Sequence, residues 1–427
     1  MLSAQLIGAS EYGISVIIAS GNGVSGDGTS GNGVSKNGAS EKGAEGRTTS
    51  EARLAEGFGR TPAETFEIGE AASAGRDSVY VAILPGFSYN SDHGFYGAVK
   101  LNRYDFRGGH SPFRAFRELK LAASTKGLIA GELFSDVTRT LGSNVRTTLH
   151  LFAFRFPQDT YFGIGNGSAF DSDLWNSDHY FFTSLSASGN LRARIPVSRS
   201  AGQRRLDVVP GLGVSYERAV TNDLTLMETD PPVGVGGGWF NTVGIGLNWE
   251  NRDSEFLPTR GNRADLRIDA SHRLLGSDFS GSVIRTSLSQ YIGFRLLLDQ
   301  VLAMQISYNQ AIGTVPYWKL PSLGGETTLR GYAFRRFLDN ASVNYSAEIR
   351  NWFFHHEATG IQLGGQIFMD GGRVFDTVNM DDLVRDHHMT LGFGGVIATT
   401  RRDVFFRGDL GFSKEMIRFY AGIGYAF

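Results

Sequence analysis

Cysteine is absent from this 427-residue chain. That excludes a disulfide framework, a thiolate metal site and a cysteine nucleophile. An excess of one charge is lacking too: 41 Lys and Arg stand against 43 Asp and Glu, for a formal net charge of -2. A chain so balanced offers no large basic surface, and nucleic acid is not an expected partner. Long apolar runs are also missing. The longest uncharged one, Ile14–Ala19, falls far short of the ~20 residues a membrane helix needs. This excludes helical spans only. A transmembrane barrel alternates apolar and polar residues and averages to a modest mean hydropathy, such as the -0.16 found here.

What is abundant is glycine (56 residues) and aromatics (31 Phe, 15 Tyr and 5 Trp). Part of the glycine belongs to a five-residue repeat over residues 21–45 (GNGVS, GDGTS, GNGVS, KNGAS, EKGAE). With almost nothing apolar to bury, residues 1–77 are expected to be a disordered low-complexity segment, with at most a short helix near residues 50–57. No strand precedes the repeat and no helix follows it, so a phosphate loop is a poor reading. Met1–Ser20 has no Lys or Arg, and Glu11 interrupts its apolar stretch. It does not read as a secretory signal.

From Ser78 the periodicity is two. Val243, Ile245, Leu247 and Trp249 alternate with Gly244, Gly246, Asn248 and Glu250. Leu266, Ile268 and Ala270 alternate with Arg267, Asp269 and Ser271, and Val343, Tyr345, Ala347 and Ile349 with Asn344, Ser346, Glu348 and Arg350. The last such run, Ile417 to Phe427, carries Tyr425 and Phe427 on its apolar face up to the final residue. Weaker runs fall at 79–89, 95–104, 206–216, 300–309, 361–370 and 402–412. Such alternation marks strands with one apolar and one polar face. Full charges in mid-strand suit a wet lumen, small residues on the same face suit a curved inner wall, and lipid accounts for the apolar face. The expected fold is all-β: a transmembrane antiparallel barrel over residues 78–427, apolar side chains outward, Gly and charge inward. At roughly 20–25 residues per strand and connection it holds about 14–17 strands, and sixteen is the expected even number.

Four segments carry a resemblance. They are NRDSEFLPTRG (251–261), LGGETTLRGYAFRRFLD (323–339), IFMDGGRVF (367–375) and the terminal FYAGIGYAF, with weaker support from YFGIGN (161–166). Together they resemble the bacterial surface antigen family of outer-membrane barrels, the superfamily of BamA and TamA. The resemblance implies that Arg330, Gly331 and Tyr332 lie at the tip of an inward-folded loop, where the Arg meets acids of the lumen wall. Glu348 and Asp370 are the candidates, since alternation places both on polar faces. It also marks Arg252, Asp253, Pro258 and Gly261 as a family turn, and Tyr425 and Phe427 as a terminal-strand signal. The 77 residues before the barrel hold no substrate-docking domain of the POTRA type, which assembly and secretion members carry.

Enzymatic motifs are not in the sequence. Neighbours in His355–His356 and His387–His388 point to opposite faces of a strand and cannot chelate one metal together. No HExxH helix, Walker loop or nucleophile elbow occurs. The expectation is a non-enzymatic protein with no cofactor and no metal, in the bacterial outer membrane, with outer-membrane lipid around it. The expected function is then assembly, insertion or translocation of outer-membrane proteins, with outer-membrane protein substrates or a separate periplasmic partner as the expected partners and docking supplied by that separate chain or by an upstream segment. The alternatives are a stand-alone structural, pore or surface-antigen barrel, and a soluble secreted β-protein that binds a ligand.

Overall fold

The computed structural model describes residues 79–427 apart from 109–112, 141–143, 200–204, 255–256, 378–384 and 400–404, together with the pair Val16–Ile17. The glycine repeat, the helix near 50–57 and the leader-like start lie outside the described residues.

Alternation resolves into sixteen barrel strands: β1 (Val79–Asn90), β2 (Gly94–Asp105), β3 (Ala115–Ser124), β4 (Ile129–Val137), β5 (Arg146–Thr160), β6 (Phe181–Arg199), β7 (Arg205–Val220), β8 (Thr242–Glu250), β9 (Arg260–Ser271), β10 (Gly281–Arg295), β11 (Asp299–Gly313), β12 (Ala341–His356), β13 (Ile361–Phe375), β14 (His388–Thr399), β15 (Phe405–Phe412) and β16 (Ile417–Ile423). Each pairs antiparallel with its neighbour in sequence, and β16 returns to β1, so the sheet closes. Away from the short β16–β1 contact, closure leaves backbone N–H and C=O groups paired within the wall, the condition for crossing hydrocarbon.

The outer surface is apolar: Ile83, Leu121 and Leu391 are 70%, 60% and 62% exposed. Charged side chains of the same strands point inward and are buried, among them Lys100, Glu118, Asp136, Arg267, Glu348 and Asp409. The first quarter of the wall departs from the expected split. Tyr104, Phe106, Phe113 and Phe116 pack into a buried cluster, and Tyr96, Phe152, Phe154 and Phe156 into another. Aromatic rings here point inward instead of outward and pack against rings of neighbouring strands and their connections.

The connections are unequal. Long segments at 161–180, 221–241 and 314–340 gather at one end. The first holds helix α1 (Ser172–Asn176), capped by the Asp171 side chain, and the second holds helix α2 (Leu226–Thr229). Tyr161, Phe182, Met227, Tyr317, Trp318 and Leu338 pack these loops together over the barrel mouth.

Candidate functional site: the lumen loop and the seam

The segment between β11 and β12 folds into the barrel, and Arg330 at its tip is 1% exposed. Its Nε and Nη2 donate to Asp370 Oδ2 and Oδ1 at 2.9 and 2.7 Å, a two-pronged pair. Nη1 donates to Glu348 Oε1 at 2.5 Å and lies 3.4 Å from Asp409 Oδ2. The guanidinium carbon stands 3.5 Å from the centre of the Phe368 ring. Alternation supplied Glu348 and Asp370, because β12 and β13 each turn those positions inward. Gly331 follows because a Cβ there would sit 2.7 Å from the Phe412 carbonyl carbon. Its N–H donates to Thr390 Oγ1 at 3.2 Å. Tyr332 is buried edge-on against Phe337, with ring centres 5.2 Å apart, beside Leu323, Leu329 and Val374.

Several partners of this loop were not expected. Asp409, Phe368 and Ser346 complete the surroundings of Arg330, with Ser346 Oγ donating to Asp370 Oδ1 at 2.6 Å. Phe368 had a signal: it is the one ring on the polar face of β13, between Gln366 and Asp370. Arg407 joins Glu326 of the loop to Asp409 of its own strand. Arg336, also buried, grips Glu415 at 2.7 and 2.9 Å and Ser168 at 2.7 Å, fastening the loop to two others. Asn166 of the YFGIGN segment accepts from Val374 N at 3.1 Å.

The turn carrying Arg252, Asp253, Pro258 and Gly261 connects β8 to β9, away from Arg330. Arg252 forks onto Glu250 at 2.8 Å twice. Asp253 Oδ1 accepts from Thr259 N at 2.8 Å and Arg260 N at 3.1 Å. Pro258 is buried. Gly261 has φ +99°, and a Cβ there would meet Asn251 O at 2.0 Å, so the turn requires glycine. Leu257 of this turn packs with Trp352, Phe405 and Tyr425.

Tyr425 and Phe427 do not continue the last strand. β16 ends at Ile423; the Gly424 N–H still donates to Phe405 O at 3.1 Å, and at Gly424, with φ +78°, the chain bends out of the strand. Arg350, a lumen residue, lies 4.0 Å from the Tyr425 ring centre and donates to Phe427 O at 2.9 Å. The apolar alternation read through Phe427 breaks because a left-handed residue bends the backbone out of the strand, and glycine adopts that conformation at no steric cost.

This departure leaves the seam between β16 and β1 short. Tyr89 faces Ala421 and Asn90 faces Tyr420, whereas β10 and β11 stay in register from Gly281–Gly313 to Arg295–Asp299. Around those pairs Ser91 N donates to Phe419 O at 2.9 Å, and Ser88 Oγ to Ala421 O at 2.7 Å. Among the described residues, the remaining outer edge of β1 meets Val16 and Ile17, opposite Phe87 and Gly86. Pro85 lies in this edge strand. Because Ser91 N points to β16, strand alternation aims the nitrogens of Tyr89, Phe87 and Pro85 the same way. The N–H that proline lacks is therefore missing from the free edge.

The β1–β2 turn fastens the top of the seam. Asp92 Oδ1 accepts from Phe334 N of the lumen loop at 3.0 Å and pairs with Arg418 of β16. His93 beside it packs against Phe156 with the rings tilted and their centres 4.9 Å apart. Burial pushes its imidazole down from 6.5 to about 4, with Lys126 and Arg418 adding to the effect and Asp92 opposing it.

A model of the Omp85 superfamily domain matches residues 118–427. No curated protein matches the chain. Among solved structures, BamA from Haemophilus ducreyi lacking POTRA domains 1-3 is similar at 14% identity and a TM-score of 0.56, over 84% of this chain and 78% of that one. CdiB from Acinetobacter baumannii is similar at 13% identity and 0.52, over 80% of this chain and 59% of its own length. CdiB from Escherichia coli is similar at 11% identity and 0.54, over 88% and 74%. These likenesses concern the fold. With a closed sixteen-strand barrel, an arginine-bearing loop in its lumen and the family domain over most of its length, the chain belongs to the Omp85 superfamily.

Proposed function

We propose that this barrel works in the bacterial outer membrane as an insertase or translocator of polypeptides, opening between β1 and β16, and that it performs no covalent chemistry. The observation that carries the reading is the seam. A strand edge facing hydrocarbon exposes unpaired backbone groups at a cost of several kcal/mol each. Among the described residues, the β1 edge below Tyr89 meets no strand of the barrel wall, only the short pair Val16–Ile17 opposite Phe87 and Gly86. An incoming extended segment that pairs there satisfies those groups, as in strand addition to an open sheet. Arg330 would hold its loop against β12 and β13 while the other side of the barrel moves. Proteins of similar fold are BamA and CdiB, and outer-membrane protein substrates fit this reading.

The chain's lack of cysteine makes the test direct. Replacing Tyr89 and Ala421 with Cys creates a single facing pair, close enough for a disulfide in antiparallel register. Oxidised protein in liposomes should fail to promote insertion of an unfolded barrel substrate, and dithiothreitol should restore it. Equal activity in both states sinks the gate and leaves a stand-alone barrel as the reading.

A further inference from the structure

The lumen wall of β6–β10 carries positive charge that its own carboxylates do not neutralise. Arg192 of β6 is 7% exposed, and its Nε and Nη1 are buried with no hydrogen-bond partner. The charged groups that face it are Arg267, Arg285 and Asp269. That single carboxylate is already shared. Arg267 forks onto it at 2.6 and 2.9 Å, and Arg285 Nη1 reaches its Oδ2 at 3.1 Å. Three guanidinium groups thus stand against one carboxylate, in a part of the barrel where charge is poorly screened.

The backbone makes room for this arrangement. Arg192 is in register with Gly211, Gly211 with Gly244, and Gly244 with Asp269, so a row across four strands has glycine at its two central positions. A Cβ on Gly211 would lie 3.0 Å from Arg192 Cγ and 3.2 Å from Arg267 Nη2. A Cβ on Gly244 would lie 2.1 Å from Asp269 Oδ1 and 2.9 Å from Arg267 Nη2. Side chains at either position would push the guanidinium groups apart. Without them, Arg192 and Arg267 come over the same patch of bare backbone from opposite sides.

We propose that Arg192, Arg267 and Arg285 form an oxyanion site on the inner wall that takes a phosphate group. Planar guanidinium forks match tetrahedral oxyanions and stay charged at any physiological pH. An anion there would take the unpartnered Nε and Nη1 of Arg192 and relieve the repulsion between Arg192 and Arg267. The phosphate group comes from the water of the lumen, not from a lipid headgroup, because all three arginines lie on the inner face. This site is separate from the Arg330 loop and does not depend on the seam opening.

The test uses the full chain folded in detergent micelles, with inorganic phosphate as the probe and calorimetric titration as the readout. Wild type should bind phosphate at millimolar concentrations, and R192Q, which leaves no buried charge behind, should bind at least about tenfold more weakly. R192K should retain part of the affinity. D269N removes the competing carboxylate and should tighten binding, an outcome that a merely structural role for these arginines does not give. Heat-modified mobility of each variant shows that the barrel has closed. Equal phosphate affinity in closed wild type and R192Q overturns the proposal, as does no binding by wild type. In a second arm, short-chain phosphatidic acid is added to the micelles. Heat evolved with the lipid but not with free phosphate overturns the aqueous source and assigns the phosphate to a headgroup.

Discussion

Arg330 ties strands β12, β13 and β15 through Glu348, Asp370 and Asp409, while β16 and β1 are joined by two facing pairs and the Asp92 turn. Both regions are walls of the same barrel built from the same alternating strand. They differ in what crosses between strands. In the first, a buried cation sits among three acids, so removing it takes the cation from Asp370 and leaves Glu348 with Arg350 and Asp409 with Arg407. In the second, the attachments lie at one end and below them the chain turns away. One wall is expected to fail only when its centre is removed, and the other to give way gradually from the bottom.

The sharpest way to break that comparison is to remove the centre. Arg330→Ala should destabilise the folded barrel by about 3–5 kcal/mol, the cost of stranding partners of a buried ion pair. Urea midpoints of the detergent-folded protein measure it, and Arg330→Lys should recover only part of the loss because it cannot fork onto Asp370. A wild-type midpoint for the Ala variant would show that the loop is not what ties these strands.

Acid should act on the seam more mildly. His93 has its folded pKa depressed to about 4 from 6.5, so the unfolded chain binds more protons between those values. The contribution of keeping His93 neutral is fully present above pH 6.5 and is lost as pH falls to about 4, to a limit of about 3 kcal/mol. The difference in stability between wild type and His93→Gln, followed from pH 7 to pH 4, should therefore shrink with acid. A constant difference counts against this linkage.

The smallest effect concerns the bottom of the seam. A side chain at Gly424 would meet nothing within 4 Å, so Gly424→Ala tests the left-handed backbone alone. It should cost about 1 kcal/mol and loosen the tail from Arg350. Faster trimming of Tyr425–Phe427 by carboxypeptidase, with the barrel intact, is the expected result. Unchanged trimming would show that the tail is held by its rings and not by the turn.

Much of this fold was legible from the chain. Thr242–Glu250 and Val343–Arg350 alternate cleanly because their inward residues are small or charged, and both are strands with the expected faces. The first quarter read weakly because Tyr104, Phe116, Phe152 and Phe154 point inward, placing apolar residues on both faces. At the loop site, periodicity assigned Glu348 and Asp370 to the lumen face, and the resemblance supplied Arg330. Asp409 and Phe368 escaped notice because a face says where a side chain points, and only closure of the sheet sets what lies opposite. Tyr425 and Phe427 were misplaced because alternation carries no mark of a single residue at positive φ.

Pro85 has a consequence for timing. Any strand that lies along the edge of β1 below Tyr89 finds no donor at Pro85. The ladder is interrupted before it grows long, which shortens the residence time of whatever is paired there. An uninterrupted edge would hold a guest, or another copy of the same chain, for longer. One residue without an N–H keeps a continuous ladder from forming on that edge.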